Sequence, residues 1–314
     1  MSGRPVDELQ GLMLIDKPGN LTSHDVVARL RRLSGQKKIG HTGTLDPLAT
    51  GLLAILLGSA TRLAPYLTEL GKTYQGRLEL GLVTDTDDAA GRVVSRHPGP
   101  WPSESEVRQA LRNGEGEVAQ VPPAFSAVQV AGRRAYRAAL AGVPLELKPR
   151  RVTAFRLELM RYEPPALEFT AVVSSGYYIR ALARDLGRAL GLDGGALTEL
   201  RRTAIGPWTL DQAWTLEEAA EWKEDAWRAR LRPPAEALPH WPTLVLAKPG
   251  PAGHFTQGRR LPAEAMAGRY KIIDDQGRLI GLGQIENGAA LEGAAAHQPR
   301  EPFLRPLRVF PVSS

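Results

Sequence analysis

The sequence predicts a mixed α/β protein of about two domains, and three observations carry that prediction. Its 314 residues are too many for one small domain. Through the first two thirds of the chain, short strand patterns alternate with helical patterns that carry one apolar face. A proline-rich break from Arg232-Pro233-Pro234 to Pro239 and Trp241-Pro242 then precedes a segment with β-hairpin signals. With 43% hydrophobic and 24% charged residues, core-building capacity is ordinary for a soluble globular chain.

Taken in order, Leu12 to Asp16 reads as a short strand and Lys17-Pro18-Gly19-Asn20 as a turn. A helix starts near Thr22 or Ser23, with Asp25 in its first turn, and stops at Gly35. Val26, Leu30 and Leu33 line one face and leave Arg29, Arg31 and Arg32 outside; Lys37 and Lys38 extend that basic surface. Leu52 to Leu57 suits a buried strand closed by Gly58, and Ser59 is placed to cap a helix through Leu67. Tyr74, Gly76, Leu78 and Leu80 alternate with polar neighbours as a half-buried strand does. Thr84 to Gly91 is acidic and reads as a solvated loop. Its spacing does not suit calcium, because position 89 is alanine and no glutamate closes the pattern.

Ser103 to Leu111 reads as a capped helix. Pro122 to Pro149 is a glycine-, proline- and arginine-rich insertion with one short helix around Tyr136. Strands follow near Val152 to Leu159 and Leu167 to Val173, then an amphipathic helix from Ile179 to Leu190 ended by Gly191. Beyond the break, Gly268 to Ile273, a turn at Asp274 to Gly277, and Leu279 to Leu282 form a hairpin pattern. Leu307 to Phe310 is the last strand, and Gly288 to Ala296 is rich in small residues.

Composition removes several chemistries. There is no cysteine, which excludes disulfides, thiolate metal sites and a thiol nucleophile. Six scattered histidines offer no HExxH-type spacing, and no phosphate-binding loop or dinucleotide fingerprint is present. The polar Met1 to Gln10 lacks a signal-peptide pattern, and the longest apolar run is far too short to span a membrane, so a cytoplasmic protein is expected. Lysine plus arginine exceeds acid, 40 against 34, and the pI is near 9.7, which favours a polyanionic partner such as nucleic acid.

The most unusual stretch runs from Gly40 to Gly51, Gly-His-Thr-Gly-Thr-Leu-Asp-Pro-Leu-Ala-Thr-Gly. Its glycines allow close approach, and Pro47 biases Asp46 toward an extended conformation. A carboxylate presented in this way serves as nucleophile or base without a cofactor. An equally ordinary reading is an aspartate capping the turn at Pro47. The residues alone leave both open.

The stretch from Gly40 to Leu53 resembles the signature of the TruB-type pseudouridine synthases, which act on the T loop of tRNA. Further matching motifs lie in order: Leu14-Ile-Asp-Lys-Pro-Gly19 before Thr22-Ser-His-Asp25; Lys72-Thr-Tyr74; Gly81 with Thr84 to Asp88; Pro122 to Ala127; Gly132 with Tyr136; Gly176-Tyr-Tyr-Ile-Arg180; and Leu200-Arg-Arg202. They cover about residues 10–220. The tail resembles, more weakly, the small β-barrel module called PUA.

The resemblance implies an antiparallel-rich mixed α/β catalytic domain over residues 1–232, with an RNA-contacting insertion at about 122–150. A PUA-like all-β barrel over residues 243–314 would follow. It implies isomerisation of the T-loop uridine at position 55: N1–C1′ breaks, the base turns, and C5 bonds to C1′. Asp46 would be the essential carboxylate, attacking base or sugar or assisting that step; Tyr74 would stack on the flipped uracil and take part in C5 deprotonation. Arg180 would pair with Asp46 and hold it ionised. His41 would fill the vacated base stack and Leu200 would supply an apolar wall, while Tyr178, Arg202 and Lys17 would contact substrate. No metal or organic cofactor is implied. The partner would be the T arm of tRNA, bound by a monomer that needs no protein partner and no membrane. Gln129, Val130 and Leu140 depart from the family pattern, which usually has a lysine, an aromatic and an arginine there. A guide-RNA-dependent synthase and a non-catalytic RNA-binding protein are the rival expectations.

Overall fold

The computed structural model describes residues 9–130, 132–248, 250–287 and 302–310; residues 1–8 and the small-residue stretch 288–296 lie outside them. Among the described residues a nine-stranded sheet carries the larger part of the chain. Its strands are β1 (Gly11–Lys17), β2 (Ile39–His41), β3 (Thr50–Leu57), β4 (Lys72–Leu80), β5 (Gly116–Gln120), β6 (Arg150–Glu163), β7 (Ala166–Val173), β8 (Gly195–Ile205) and β9 (Trp208–Thr209). The path runs β1-β3-β8-β4-β7-β6-β5, with β2 added to β3 and β9 to β8. All these pairings are antiparallel except the short contact of β3 with β8. Helices α1 (Ser23–Ser34), α2 (Glu104–Asn113) and α3 (Ile179–Ala189) pack on this sheet.

The two ends of the sheet are buried differently, and the strand sequences say why. β3 is apolar at every position from Leu52 to Leu57 because both its faces are covered. Leu52, Ala54 and Leu56 meet Leu63, Leu67, Trp208 and Trp241, whereas Leu53, Ile55 and Leu57 meet Val26, Val27 and Leu30 of α1. β4 and β7 alternate because they bury one face only: Leu78, Leu80, Phe169 and Val173 pack against Val107 and Leu111 of α2 and Leu182 and Leu186 of α3.

Helix α1 begins as its sequence requires. The Thr22 hydroxyl accepts from the Asp25 N–H while the Asp25 carboxylate accepts from the Thr22 N–H, a capping box of about 1 kcal/mol. Gly35 ends the helix in the left-handed conformation. Two expectations fail nearby. The segment after β3 is a 3-10 turn, Gly58–Leu63, followed by a short helix, Ala64–Thr68, and Ser59 does not cap it; its hydroxyl donates to Gln10 Oε1 at 2.7 Å. The acidic loop is only partly solvated: Asp85 is exposed, but the rest of its acidic face turns inward. Thr84 and Asp88 are buried, and the loop is closed by Thr84 Oγ1 donating to Asp88 O at 2.7 Å and Thr86 Oγ1 donating to Asp88 Oδ1 at 2.7 Å.

Within the insertion, a two-stranded hairpin (Gln129–Val130 with Arg133–Arg134) leads into the short helix Ala135–Leu140, as expected around Tyr136. The C-terminal part is a second sheet of β10 (Thr243–Leu246), β11 (Leu261–Pro262), β12 (Gly268–Asp274), β13 (Leu279–Glu286) and β14 (Phe303–Val309), in the order β10-β12-β13-β14-β11. It carries one short helix, Gly250–Thr256, that the strand patterns did not announce. The architecture is mixed α/β, antiparallel-rich, with a small C-terminal β module consistent with the PUA-like one. No helix among the described residues is long and apolar enough to cross a membrane.

The parallel contact pairs Arg201 with Thr50 and Arg202 with Gly51. Gly51 has φ +98°, and a Cβ there would lie 2.3 Å from the Arg202 carbonyl oxygen. Only glycine fits. Gly51→Ala is therefore expected to lower the thermal midpoint by several degrees, from strain of about 1–3 kcal/mol or more. Thermal unfolding followed by circular dichroism checks this; an unchanged midpoint would show that β3 and β8 separate freely.

Candidate active site

The loop carrying Asp46 is fixed from both sides. Leu45 and Ala49 are buried in the core above α3, so the chain is pinned one residue before Asp46 and three after it. The Leu45 N–H donates to Ser23 Oγ at 2.8 Å, and the Asn20 N–H donates to Pro47 O at 2.9 Å. The turn itself is closed by the backbone, with the Ala49 N–H donating to Asp46 O at 3.0 Å. This leaves the Asp46 carboxylate free of the capping duty that the sequence allowed.

The carboxylate turns instead to Arg180, near the start of α3. Arg180 Nη2 donates to Asp46 Oδ1 at 3.1 Å, and Nε lies 2.9 Å from Oδ2. The Nε contact is close but misaligned, so the pair is one hydrogen bond plus a tight ionic contact. Arg180 also donates from Nη1 to Thr86 O at 3.0 Å and from Nη2 to Phe125 O at 2.9 Å, with Asp88 Oδ2 3.7 Å from Nη1. One turn later, Arg184 Nη1 donates to Asp87 at 3.0 Å and Nη2 to Val121 O at 2.9 Å. The acidic loop is thus the counter-charge for buried Arg180 and partly buried Arg184. No sequence signal separates such a loop from a solvated one, because its partners lie more than 90 residues away.

Around Asp46 lies a cavity of about 450 Å³, within the usual size range of small-ligand sites. Asp46, Tyr74, Tyr178, Arg180, Leu200 and Arg202 all line it. Tyr74 and Leu200 come from neighbouring strands β4 and β8, with Leu200 paired to Gly76, two residues from Tyr74. Lys72, Phe125, Ser126 and Tyr136 join the wall, and sequence reasoning gave them no role. Strand alternation was the available signal for Lys72, which shares the Tyr74 face. The other three sit in motifs already singled out.

Three expected substrate contacts are placed differently. Lys17 is fully buried, and Nζ donates to Pro18 O at 2.9 Å and Leu21 O at 2.6 Å. It braces the turn before α1 and does not line the cavity. Arg202 reaches the cavity wall but is only 1% exposed; its Nε donates to Leu52 O at 2.7 Å and Nη2 to Gly43 O at 3.3 Å. Its donors hold the Gly43 end of the Asp46 loop. His41 lies in β2 outside the cavity lining, with Nδ1 buried and unpaired.

Electrostatics follow from this burial. The Asp46 carboxyl is raised above the ordinary aspartate range, first by desolvation; Arg180 opposes the rise and Asp88 adds to it. Its side chain is 38% exposed, but that opening faces the cavity, whose walls still strip solvent from it. Burial lowers Lys17 and Lys72 to about 8 each, with Asp46 partly restoring Lys17. Burial lowers His41 as well, so its imidazole is neutral at pH 7. A carboxylate, a matched guanidinium, four tyrosines and an apolar wall around a ligand-sized space make a site that can hold a flat ring against a charged group.

Comparisons with known proteins agree with this geometry. Residues 31–179 match the family model described as TruB family pseudouridylate synthase (N terminal domain), and residues 180–238 match the tRNA pseudouridylate synthase B C-terminal domain. A tRNA pseudouridine synthase B of Thermobifida fusca is 42% identical over 289 residues, which cover 89% of this chain and 96% of that protein. One from Arthrobacter is 46% identical, covering 83% of this chain and 85% of that protein. Among solved structures, an H/ACA ribonucleoprotein bound to a substrate RNA containing 2′-deoxyuridine aligns with a TM-score of 0.70 at 26% identity, over 98% of this chain and 88% of that one. An archaeal box H/ACA Nop10-Cbf5 complex gives 0.67 at 26%, over 90% and 81%. With both halves of the catalytic sheet matched and relatives aligned over most of their length, this chain belongs to the TruB family of pseudouridylate synthases.

Proposed function

We propose that this chain converts the T-loop uridine at position 55 of tRNA to pseudouridine, and that Asp46, Tyr74 and Arg180 do the chemistry. The observation that carries the proposal is the Asp46–Arg180 pair set in a ligand-sized cavity beside Tyr74 and Leu200. Isomerisation breaks N1–C1′, turns the base, joins C5 to C1′, releases the C5 proton and returns a proton to N1. The base must leave the stack to be reached, at a cost of a few kcal/mol. An ionised Asp46 supplies negative charge beside the reacting base and sugar, and Arg180 aims it and keeps it ionised against burial. Tyr74 and Leu200 sandwich the ring. Tyr178 presents a protonated phenol, because burial raises its pKa.

We further propose that residues 1–232 form the catalytic unit and 243–314 a PUA-like one, and that the chain acts as a cytoplasmic monomer. It needs no guide RNA, protein partner, metal or organic cofactor. Its close relatives are matched nearly end to end as tRNA pseudouridine synthase B, whereas its ribonucleoprotein neighbours are 26% identical. Activity of the purified chain on a bare tRNA transcript tests this; a requirement for guide RNA would transfer the assignment to the ribonucleoprotein type.

Two outcomes are expected with tRNA tritiated at uridine C5. The parent chain releases tritium from position 55, and Asp46→Asn cuts release by about 10⁴-fold or more while binding tRNA within a few-fold. No release by the parent would sink the catalytic reading. Rate also depends on pH: activity is lost as pH falls through the raised Asp46 pKa, above the ordinary 3.8. Since Arg180 lowers that pKa, Arg180→Met should move the acid limb to higher pH besides lowering the plateau. A limb that stays in place would show that Arg180 does not govern Asp46 ionisation.

A further inference from the structure

Ser126 lines the cavity with a hydroxyl that is buried and unsatisfied; the other such wall atom, Arg180 Nε, already lies against the Asp46 carboxylate. Ser126 is 4% exposed, and its hydroxyl has no hydrogen-bond partner among the described residues. A buried hydroxyl left unpaired is unfavourable, so native structures keep such groups rarely and usually where something else completes them. Its surroundings hold it firmly. The Ser126 carbonyl accepts from the Tyr136 N–H at 3.0 Å, and the preceding carbonyl, Phe125, accepts from Arg180 at 2.9 Å.

The phenol of Tyr178 lines the same cavity wall. The two hydroxyls are near enough for Ser126 to lower the proton affinity of the phenol, yet they miss hydrogen-bond geometry. Tyr178 is equally fixed along its backbone: Gln120 Oε1 accepts from its N–H at 2.8 Å, and Gln120 Nε2 donates to its carbonyl at 3.1 Å. Gln120 is itself buried. Two hydroxyls on two pinned segments thus line one cavity, and the Ser126 hydroxyl has no partner yet.

We infer that Ser126 is a positioning residue for Tyr178: with a nucleotide in the cavity, Ser126 Oγ–H donates to Tyr178 Oη, which turns the phenol proton onto an oxygen of that nucleotide. A phenol both donates and accepts, so a free one rotates between directions. A donor fixed behind its oxygen leaves one direction for its own proton, and each bond polarises the next. The burial that keeps Tyr178 protonated at neutral pH keeps it a donor. Serine is placed by this argument in the proposed isomerisation, and the inference rests on that reading.

A double-mutant cycle tests it on the full chain with C5-tritiated tRNA, under single-turnover conditions. Tritium release by the parent first establishes the reaction, so failure there is separate from failure of the Ser126 role. Ser126→Ala is expected to slow the saturated rate about tenfold, the effect of one lost hydrogen bond, with tRNA Kd within twofold. Its thermal midpoint should equal or exceed the parent's, since an unpaired hydroxyl has gone. Ser126→Thr, which keeps the hydroxyl, should recover the rate to within about threefold. In a Tyr178→Phe background, Ser126→Ala should change nothing further. A parent-like rate for Ser126→Ala overturns the inference. So does the same tenfold loss in the Tyr178→Phe background, or a loss that comes with a lowered midpoint and no recovery in Ser126→Thr.

Discussion

The structure around the site depends on burying one guanidinium. Arg180, 6% exposed in its side chain, cannot be taken out of water unless its charge is matched and its donors are used. The matching groups come from three loops that are distant in sequence. Asp46 lies on the glycine-rich loop, Thr86 and Asp88 on the acidic loop, and Phe125 at the root of the insertion. Each loop is drawn to α3 by this one cation, and Arg184 repeats the arrangement a turn later with Asp87 and Val121. Removing one partner from such a set leaves a buried charge uncompensated, which typically costs about 3–5 kcal/mol. Convergence of the loops and orientation of the carboxylate are therefore one event.

A second group of buried cations works from below. Arg202 ties the Gly43 end of the Asp46 loop to β3, and Lys17 ties the turn before α1. Both stand close enough for their charges to register on neighbouring groups: Arg202 depresses His41 and Lys72, and Asp46 restores part of what burial takes from Lys17. Burial drives the Asp46 pKa up, and the cations around it drive it down. The net result is a carboxyl whose pKa stays above its ordinary value, desolvation outweighing the cations that oppose it. The depressed lysines make the converse contribution. Their folded-state pKa near 8 lies below the unfolded value of about 10.4, so stability from these groups rises with pH across that window and falls as pH drops through 8.

Local features were the legible ones. The capping box at Thr22–Asp25, the αL stop at Gly35, the doubly buried run of β3 and the alternation of β4 all follow from periods of 3.6 and 2 and from small-residue chemistry. Motif order carried the family. What sequence could not reveal was pairing across long separations. The acidic loop looked solvated because charge clusters usually are, and nothing local announces Arg180 and Arg184 arriving from a distant helix. The carbonyl partners of Lys17 and Arg202 were hidden for the same reason: a cation in a functional motif reads as exposed until those partners are known. Ser126 was invisible because an unsatisfied hydroxyl is a property of three-dimensional neighbours.

The C-terminal module shows how far this dependence on distant partners extends. Leu279, Leu282 and Phe310 lie in the same apolar cluster as Leu12 and Leu14 of β1 and Leu52, Ala54 and Leu56 of β3. Lys271 donates to Ala235 O, and Arg62 donates to Val309 O, across the same seam. The apolar residues of β1 and β3 explain why: a strand with no polar face needs cover on both sides, and α1 supplies only one. The second cover is shared by Leu63, Leu67, Trp208, Trp241 and the module. β3 leads directly from the Asp46 loop and carries Gly51, against which β8 sets Arg202. The module is thus continuous with the packing that fixes the catalytic loop, so it supports the site through the sheet whether or not it also touches RNA.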